Sequence, residues 1–317
     1  MTKVTAGEFN YIRDLVREHS ALLLEPGKEY LVESRLEPLA RHEGFPSFQG
    51  LVENLRAVPF CDLHRRVAEA MMNNETTFFR DVRMFAMLRH TMVPELLARR
   101  SAQRSLNIWS AACSSGQEPY SVAMVLRDHL PALNGWNLGL LATDISREMI
   151  ARARAGSYSQ FEVNRGLPAN LLVKYFLQNR AAWEIDPGIR RMVDFQELNL
   201  IQAWPTLPRM DVVLMRNVLI YLDLETKKTI LSRMARVLAP DGYLVLGGAE
   251  TTTGLNDSFE SVSLGGGMCF RLKNDKQSSV ISRQPPVVSR QTPAVSRQPP
   301  AASLSVAGRQ SPPAPLK

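Results

Sequence analysis

The sequence predicts an α/β protein in which a small all-α domain precedes a mostly parallel β-sheet that carries a small β insertion. Three observations predict it. Apolar residues recur at helical spacing through residues 1–75, and from Ser105 short β-rich runs alternate with helical ones. Between about 166 and 200 that rhythm breaks, and AAWEIDPGIRRMVDF suggests two short strands around a Pro-Gly turn. At 317 residues there is room for one large domain or two modest ones, each burying its own core.

Along 9–24, Phe9, Ile12, Leu15, Val16 and Leu22 fall on one helical face, and Pro26-Gly27 ends the run. The periodicity resumes over 28–42 through Leu31, Leu36 and Leu39, with Pro38 as an interruption and Gly44 as the cap. Segments 48–55 and 63–72 add two amphipathic helices. Strands are expected at 106–111, 138–142, 212–215 and 243–246, with helices at 119–130, 148–155 and 225–238. This alternation implies βαβ units and a parallel sheet covered on both faces. The two strands of the insertion are placed at 183–185 and 192–195.

From residue 274 the chain is low in complexity: SRQ recurs at 282, 289 and 296, eight of the 20 prolines fall there, and no aromatic does. Such a stretch cannot bury enough apolar surface to offset its ordering entropy, so 274–317 is expected to be a disordered Pro-rich tail. Most of the charge sits there too. Six Lys/Arg against one acid put +5 of the formal +7 on the tail, and 32 basic against 30 acidic residues leave +2 on residues 1–273. A near-neutral body lacks the electrostatic footprint of a nucleic-acid binder.

No apolar run approaches the ~20 residues that span a bilayer, and the N-terminus has no secretory pattern. Cys61, Cys113 and Cys269 are far apart, which argues against disulfides or a zinc knuckle. A cytoplasmic monomer without membrane insertion or metal is expected.

IWSAACSSGQEPYSVAM (108–124) reads as strand, tight loop and helix, with Pro119 in the first helical turn. In an open α/β sheet this is the ligand crevice. The loop has one glycine, Gly116, rather than the three of a dinucleotide fingerprint. Glu118 would repel a pyrophosphate but suits the sulfonium and ammonium charges of S-adenosylmethionine. LLATDIS (140–146) ends in Asp144, which can accept from both ribose hydroxyls. Taken singly, Glu118 and Asp144 read equally well as helix caps; their order along the chain favours the cofactor.

Six motifs now stand in register: NETTFFRD (74–81), SAACSSGQEPYS (110–121), ATDIS (142–146), LNL (198–200), RNVLIYLD (216–223) and GYLVLGGAE (242–250). Over about residues 8–272 the chain resembles the CheR chemotaxis methyltransferases, which esterify glutamates of bacterial chemoreceptors. The resemblance implies a helical domain at 1–75 and a Rossmann-like S-adenosylmethionine-dependent methyltransferase domain at 76–273, with the β insertion at about 166–200. It implies that Asn74, Thr76 and Arg80 line the cofactor site together with Gly116, Glu118 and Asp144. Asn199-Leu200 would flank the adenine, and Asn217-Val218 would line the cleft.

A glutamate acceptor is already anionic at neutral pH, its unperturbed pKa being about 4.3, so no general base is required. None of the five histidines (19, 42, 64, 90, 129) stands in a catalytic pattern. Arg216 and Tyr221 are the candidates for orienting the carboxylate, with Arg80 a third. The implied partner is the cytoplasmic domain of chemoreceptors. Lys28, Arg35 and Arg41 form a candidate docking surface, although Glu29, Glu33 and Glu37 make a solvated mixed-charge face an equal reading. The short 176–194 stretch suggests an enzyme independent of a receptor tether peptide. A small-molecule methyltransferase, a non-catalytic scaffold and nucleic-acid methylation are the rival readings.

Overall fold

The computed structural model describes residues 4–128 and 133–273; the expected tail and His129 lie outside them. Thr5 opens α1 (Ala6–Ser20) with a capping box to Glu8, and Ala21, left-handed at φ 57°, closes it. The helix therefore stops before 22–24, which instead run back against the sheet domain. Pro38 does not interrupt α2 (Glu29–His42): it forfeits one backbone bond, while Val32, Leu36 and Ala40 stay buried on one face. Gly44, at φ +81°, lets the chain turn under the helix end, its N–H reaching the Arg41 carbonyl. α3 (Phe48–Ala57) and α4 (Asp62–Ala70) complete a bundle whose core runs from Phe9 to Met71.

Two of the candidate docking cations are already engaged. Arg35 donates from its NH1 to the carbonyls of Met71 (2.5 Å) and Met72 (2.9 Å), which closes the C-terminal end of α4. Arg41 pairs with Glu37 one turn back.

The stretch 73–80 has no regular structure. It leads into α5 (Val82–Met87), a π-helical turn (Leu88–Met92) and α6 (Val93–Arg99), a connector the sequence pattern did not signal. The sheet domain follows as β1 (Ser105–Ala111), α7 (Gln117–Asp128), β2 (Asn137–Asp144) and α8 (Arg147–Ala155). Next come β3 (Ser157–Ser159), α9 (Gln160–Asn164), α10 (Ala169–Tyr175), β4 (Phe176–Asn179), β5 (Ala182–Ile185), α11 (Pro187–Arg190) and β6 (Asp194–Glu197). The chain ends its described part with β7 (Met210–Met215), α12 (Leu224–Val237), β8 (Leu238–Leu246), β9 (Phe259–Leu264) and β10 (Gly267–Leu272).

Seven strands form one sheet in the order β6-β2-β1-β7-β8-β10-β9. The first five are parallel, and β10 runs antiparallel to both neighbours. Alternate side chains of the central strands enter two cores. Ile108, Val212, Leu214 and Val245 face one; Trp109, Val213, Met215 and Leu244 face the other, where α12 packs.

The β insertion differs from expectation. Its three-stranded sheet, β3-β5-β4, begins at Ser157, before the expected start near 166. The second expected strand belongs elsewhere, since β6 extends the main sheet beside β2. Pro187-Gly188 starts a helical turn capped by Asp186, which redirects the chain out of the insertion.

Phe78 locks this region together. It is fully buried, edge-on to Tyr158 and Phe176 at ring separations of 5.0 and 5.5 Å. Phe78→Ala is expected to cost about 3–5 kcal/mol of stability in urea denaturation, because the void cannot close around two rigid rings.

Candidate active site

Chain order reverses between β1 and β7, and outside their C-terminal ends lies a cleft of about 1150 Å³, open mouth included. Both domains line it. Ser20 and Leu22 come from the end of α1 and the chain just after it, Met72 to Thr76 and Arg80 from the connecting stretch, Ile230 from α12, and the rest from the loops and element ends at the edge of the sheet. Main-chain bonds hold the domains in place there: Leu22 bridges Leu222, and Leu23 N–H donates to the Tyr221 carbonyl at 3.0 Å. Asn199 Nδ2 donates to the His19 carbonyl (2.8 Å), and Ser114 Oγ to that of Asn74 (2.7 Å).

The loop after β1 is forced into a tight path, with Ala112, Ser114 and Gly116 all at positive φ. Gly116 is required for packing rather than for the cleft. A Cβ there would stand 2.9 Å from Ala153 Cβ, and the residue does not line the cavity as expected. Ser114 N–H instead donates to Asp144 Oδ2 at 2.8 Å, and Ser146 N–H to Oδ1 at 2.9 Å. Asp144 is thus pinned at the cleft wall by two backbone donors, each oxygen keeping acceptor capacity. Burial pushes its carboxyl above the usual range, against the opposing pull of those N–H groups. Ser146, not Asp144, caps α8.

Glu118 does not face the cleft as a lone anion. Its Oε1 accepts from Ser110 Oγ (2.8 Å) and its Oε2 from Arg216 NH1 (2.9 Å). The Arg216 side chain is only 4% exposed; NH2 lies 3.7 Å from Asp81 Oδ2, and Nε has no partner among the described residues. Tyr221 presents its hydroxyl, which accepts from Asn73 Nδ2 at 2.9 Å. Arg80 is exposed and donates to the Glu75 carbonyl. Burial drives the Cys113 thiol well up, so it is a protonated packing residue.

Eleven of the twelve residues singled out in the sequence therefore border one cleft: Asn74, Thr76, Arg80, Glu118, Asp144, Asn199, Leu200, Arg216, Asn217, Val218 and Tyr221. Sequence reasoning missed Asn73, Ser110 and Asp81, which hold Tyr221, Glu118 and Arg216. Asp81 and Ser110 left a signal, as the last residue of NETTFFRD and the first of SAACSSGQEPYS.

A pinned carboxylate, a paired acid and arginine and an amide, without a phosphate cradle, fit a cofactor carrying both ribose hydroxyls and mixed charge. Fold and site together define a Rossmann-like, S-adenosylmethionine-dependent methyltransferase. Residues 74–267 match the family model "CheR methyltransferase, SAM binding domain", and residues 7–72 match "CheR methyltransferase, all-alpha domain". Chemotaxis protein methyltransferase Cher2 of Pseudomonas putida is 37% identical over 84% of this chain and 98% of its own. Chemotaxis protein methyltransferase 1 of Pseudomonas aeruginosa is 38% identical over 84% and 98%, and the Vibrio parahaemolyticus chemotaxis protein methyltransferase 36% over 86% and 100%. The chain belongs to the CheR methyltransferase family. No helix among the described residues is long and apolar enough to cross a membrane.

Asp144→Ala is expected to weaken S-adenosylmethionine binding at least about tenfold in calorimetry, the loss of a charge-assisted acceptor pair. Acidification should act the same way. Because burial raises the Asp144 pKa, affinity should begin to fall at a higher pH than an ordinary aspartate would dictate, and Asp144→Ala should lose that pH dependence.

Proposed function

We propose that this methyltransferase esterifies glutamate side chains on the cytoplasmic domain of chemoreceptors. The observation that carries the reading is Arg216: a buried guanidinium whose Nε has no hydrogen-bond partner among the described residues, in a cleft that Tyr221 also lines and whose lining includes no histidine. A cleft that offers a cation and a hydroxyl but no base suits an acceptor that is already an anion. The shared name of the relatives, chemotaxis protein methyltransferase, points to the receptor as its carrier.

S-adenosylmethionine supplies, when bound, an electrophilic methyl group on a sulfonium. In this reading Asp144 accepts from the ribose hydroxyls and Asn199-Leu200 flank the adenine. Asn74, Thr76, Glu118, Asn217 and Val218 enclose the remainder, and Gly116 keeps the loop close to α8. Arg216 and Tyr221 orient the acceptor carboxylate, and Arg80, at the mouth, screens its approach. The carboxylate oxygen forms the new bond to carbon, the carbon–sulfur bond breaks, and its electron pair stays on sulfur; no proton moves. The protein's contribution is alignment and exclusion of water. Two acids flanking Arg216 moderate its hold on the acceptor. An arginine free to pair fully would stabilise the ground state and slow transfer.

Labelled cofactor and receptor cytoplasmic fragments should give base-labile methyl esters. Tyr221→Phe should lower kcat/KM for the receptor by roughly three- to tenfold with calorimetric cofactor affinity unchanged. Label appearing only in small molecules would overturn the acceptor assignment.

A further inference from the structure

GYLVLGGAE ends on a glutamate that no step above uses. Glu250 follows β8, and its carboxylate accepts four backbone N–H groups. Oε2 takes those of Asn217 (2.8 Å) and Gly247 (2.6 Å); Oε1 takes those of Val218 (2.8 Å) and Ile220 (3.3 Å). Three of the four donors lie in the stretch that runs from Arg216 to Tyr221. That stretch has only a single 3-10 turn (Leu219–Tyr221) of its own, and Asn217 sits in the left-handed region at φ 59°. Such a backbone cannot satisfy its N–H groups internally, and the carboxylate supplies what a helix or a ladder otherwise would.

Gly247 makes the approach possible. A Cβ on it would stand 2.8 Å from Glu250 Oε2 and 2.9 Å from the Asn217 nitrogen, so any side chain would push the carboxylate off the loop. Its φ is not in the left-handed range, so the requirement is for space alone. Glu250 does not itself line the cofactor cleft; with Asp81 it borders the adjacent cavity.

We propose that Glu250 is a positioning residue for methyl transfer: by clamping 217–220 it sets the directions in which Arg216 and Tyr221 enter the cleft. The inference rests on the acceptor-orienting role proposed for those two side chains. The groups that pin the cofactor side, Asp144 and the loop after β1, are tied down independently. Loss of the clamp therefore falls first on the acceptor, and on the cofactor only through Asn217 and Val218, which the clamp also holds.

The test compares Glu250→Gln, Gly247→Ala, Tyr221→Phe and the Glu250→Gln/Tyr221→Phe double variant in the full chain. Glutamine keeps the shape but turns an amide toward backbone donors. Glu250→Gln should reduce kcat/KM for receptor fragments at least about tenfold, a larger loss than the one it causes in the calorimetric Kd for S-adenosylmethionine, which the clamped Asn217 and Val218 also touch in this reading. Gly247→Ala should show the same split. The double variant should be less impaired than the product of the two single effects, because Glu250 acts in part through Tyr221. Amide exchange at 217, 218 and 220 should accelerate in Glu250→Gln, which reads the clamp whatever the acceptor. Parent-like acceptor kinetics in both clamp variants, beside an impaired Tyr221→Phe, would overturn the role of Glu250 alone. So would unchanged amide exchange, additive effects in the double variant, or cofactor affinity falling in proportion. A parent-like Tyr221→Phe would instead remove the acceptor-orienting reading.

Discussion

The ion pair between Arg216 and Glu118 governs how the cleft is built. Arg216 leaves the end of β7 and Glu118 opens α7, so the pair spans the crevice where the sheet changes direction. With side chains 4% and 13% exposed, neither charge has much water to fall back on. Removing one partner of such a pair typically costs about 3–5 kcal/mol, because the survivor stays buried and uncompensated. The surroundings follow from that constraint. Ser110 satisfies the other Glu118 oxygen, and Asp81 stands close to the second arginine nitrogen. Asp81 accepts a conformation unusual for an aspartate, φ 72°, while it caps α5. Local backbone strain here accompanies a charge that has to be matched.

The same pair joins two tasks that would otherwise be separate. In the proposed reading Glu118 belongs to the turn that approaches the cofactor, and Arg216 to the loop that meets the acceptor. A displacement on either side is felt on the other through a 2.9 Å contact in a low-dielectric wall. The Asp144 carboxylate works differently. It is held by backbone N–H groups from two loops and depends on no other side chain's charge.

Much of the fold was legible because parallel strands buried on both faces read as apolar runs: IWSAA, LLATD and VVLM announce β1, β2 and β7. Cleft residues were legible as polar exceptions at the ends of those runs. What escaped notice had other causes. Strand β6 is short and follows a Pro-Gly pair, so it looked like the return arm of a hairpin; only its pairing with β2 shows otherwise. Gly116 was misplaced because a glycine beside a ligand loop is read as making room for the ligand, whereas here it makes room for Ala153. Arg35 looked like a surface cation, yet its partners are carbonyls 36 and 37 residues away. Contacts to backbone groups leave no trace in side-chain patterns.

The tie between Leu22–Leu23 and Tyr221–Leu222 is made of main-chain atoms. Hydrogen bonds between peptide groups do not depend on which side chains those peptides carry. This tie between the helical domain and the sheet domain therefore survives side-chain change at the residues that make it, whereas the ties through Asn199, Ser114 and Ser146 need those side chains. The register of the two domains about the cleft is thereby set by the path of the chain as well as by its side chains.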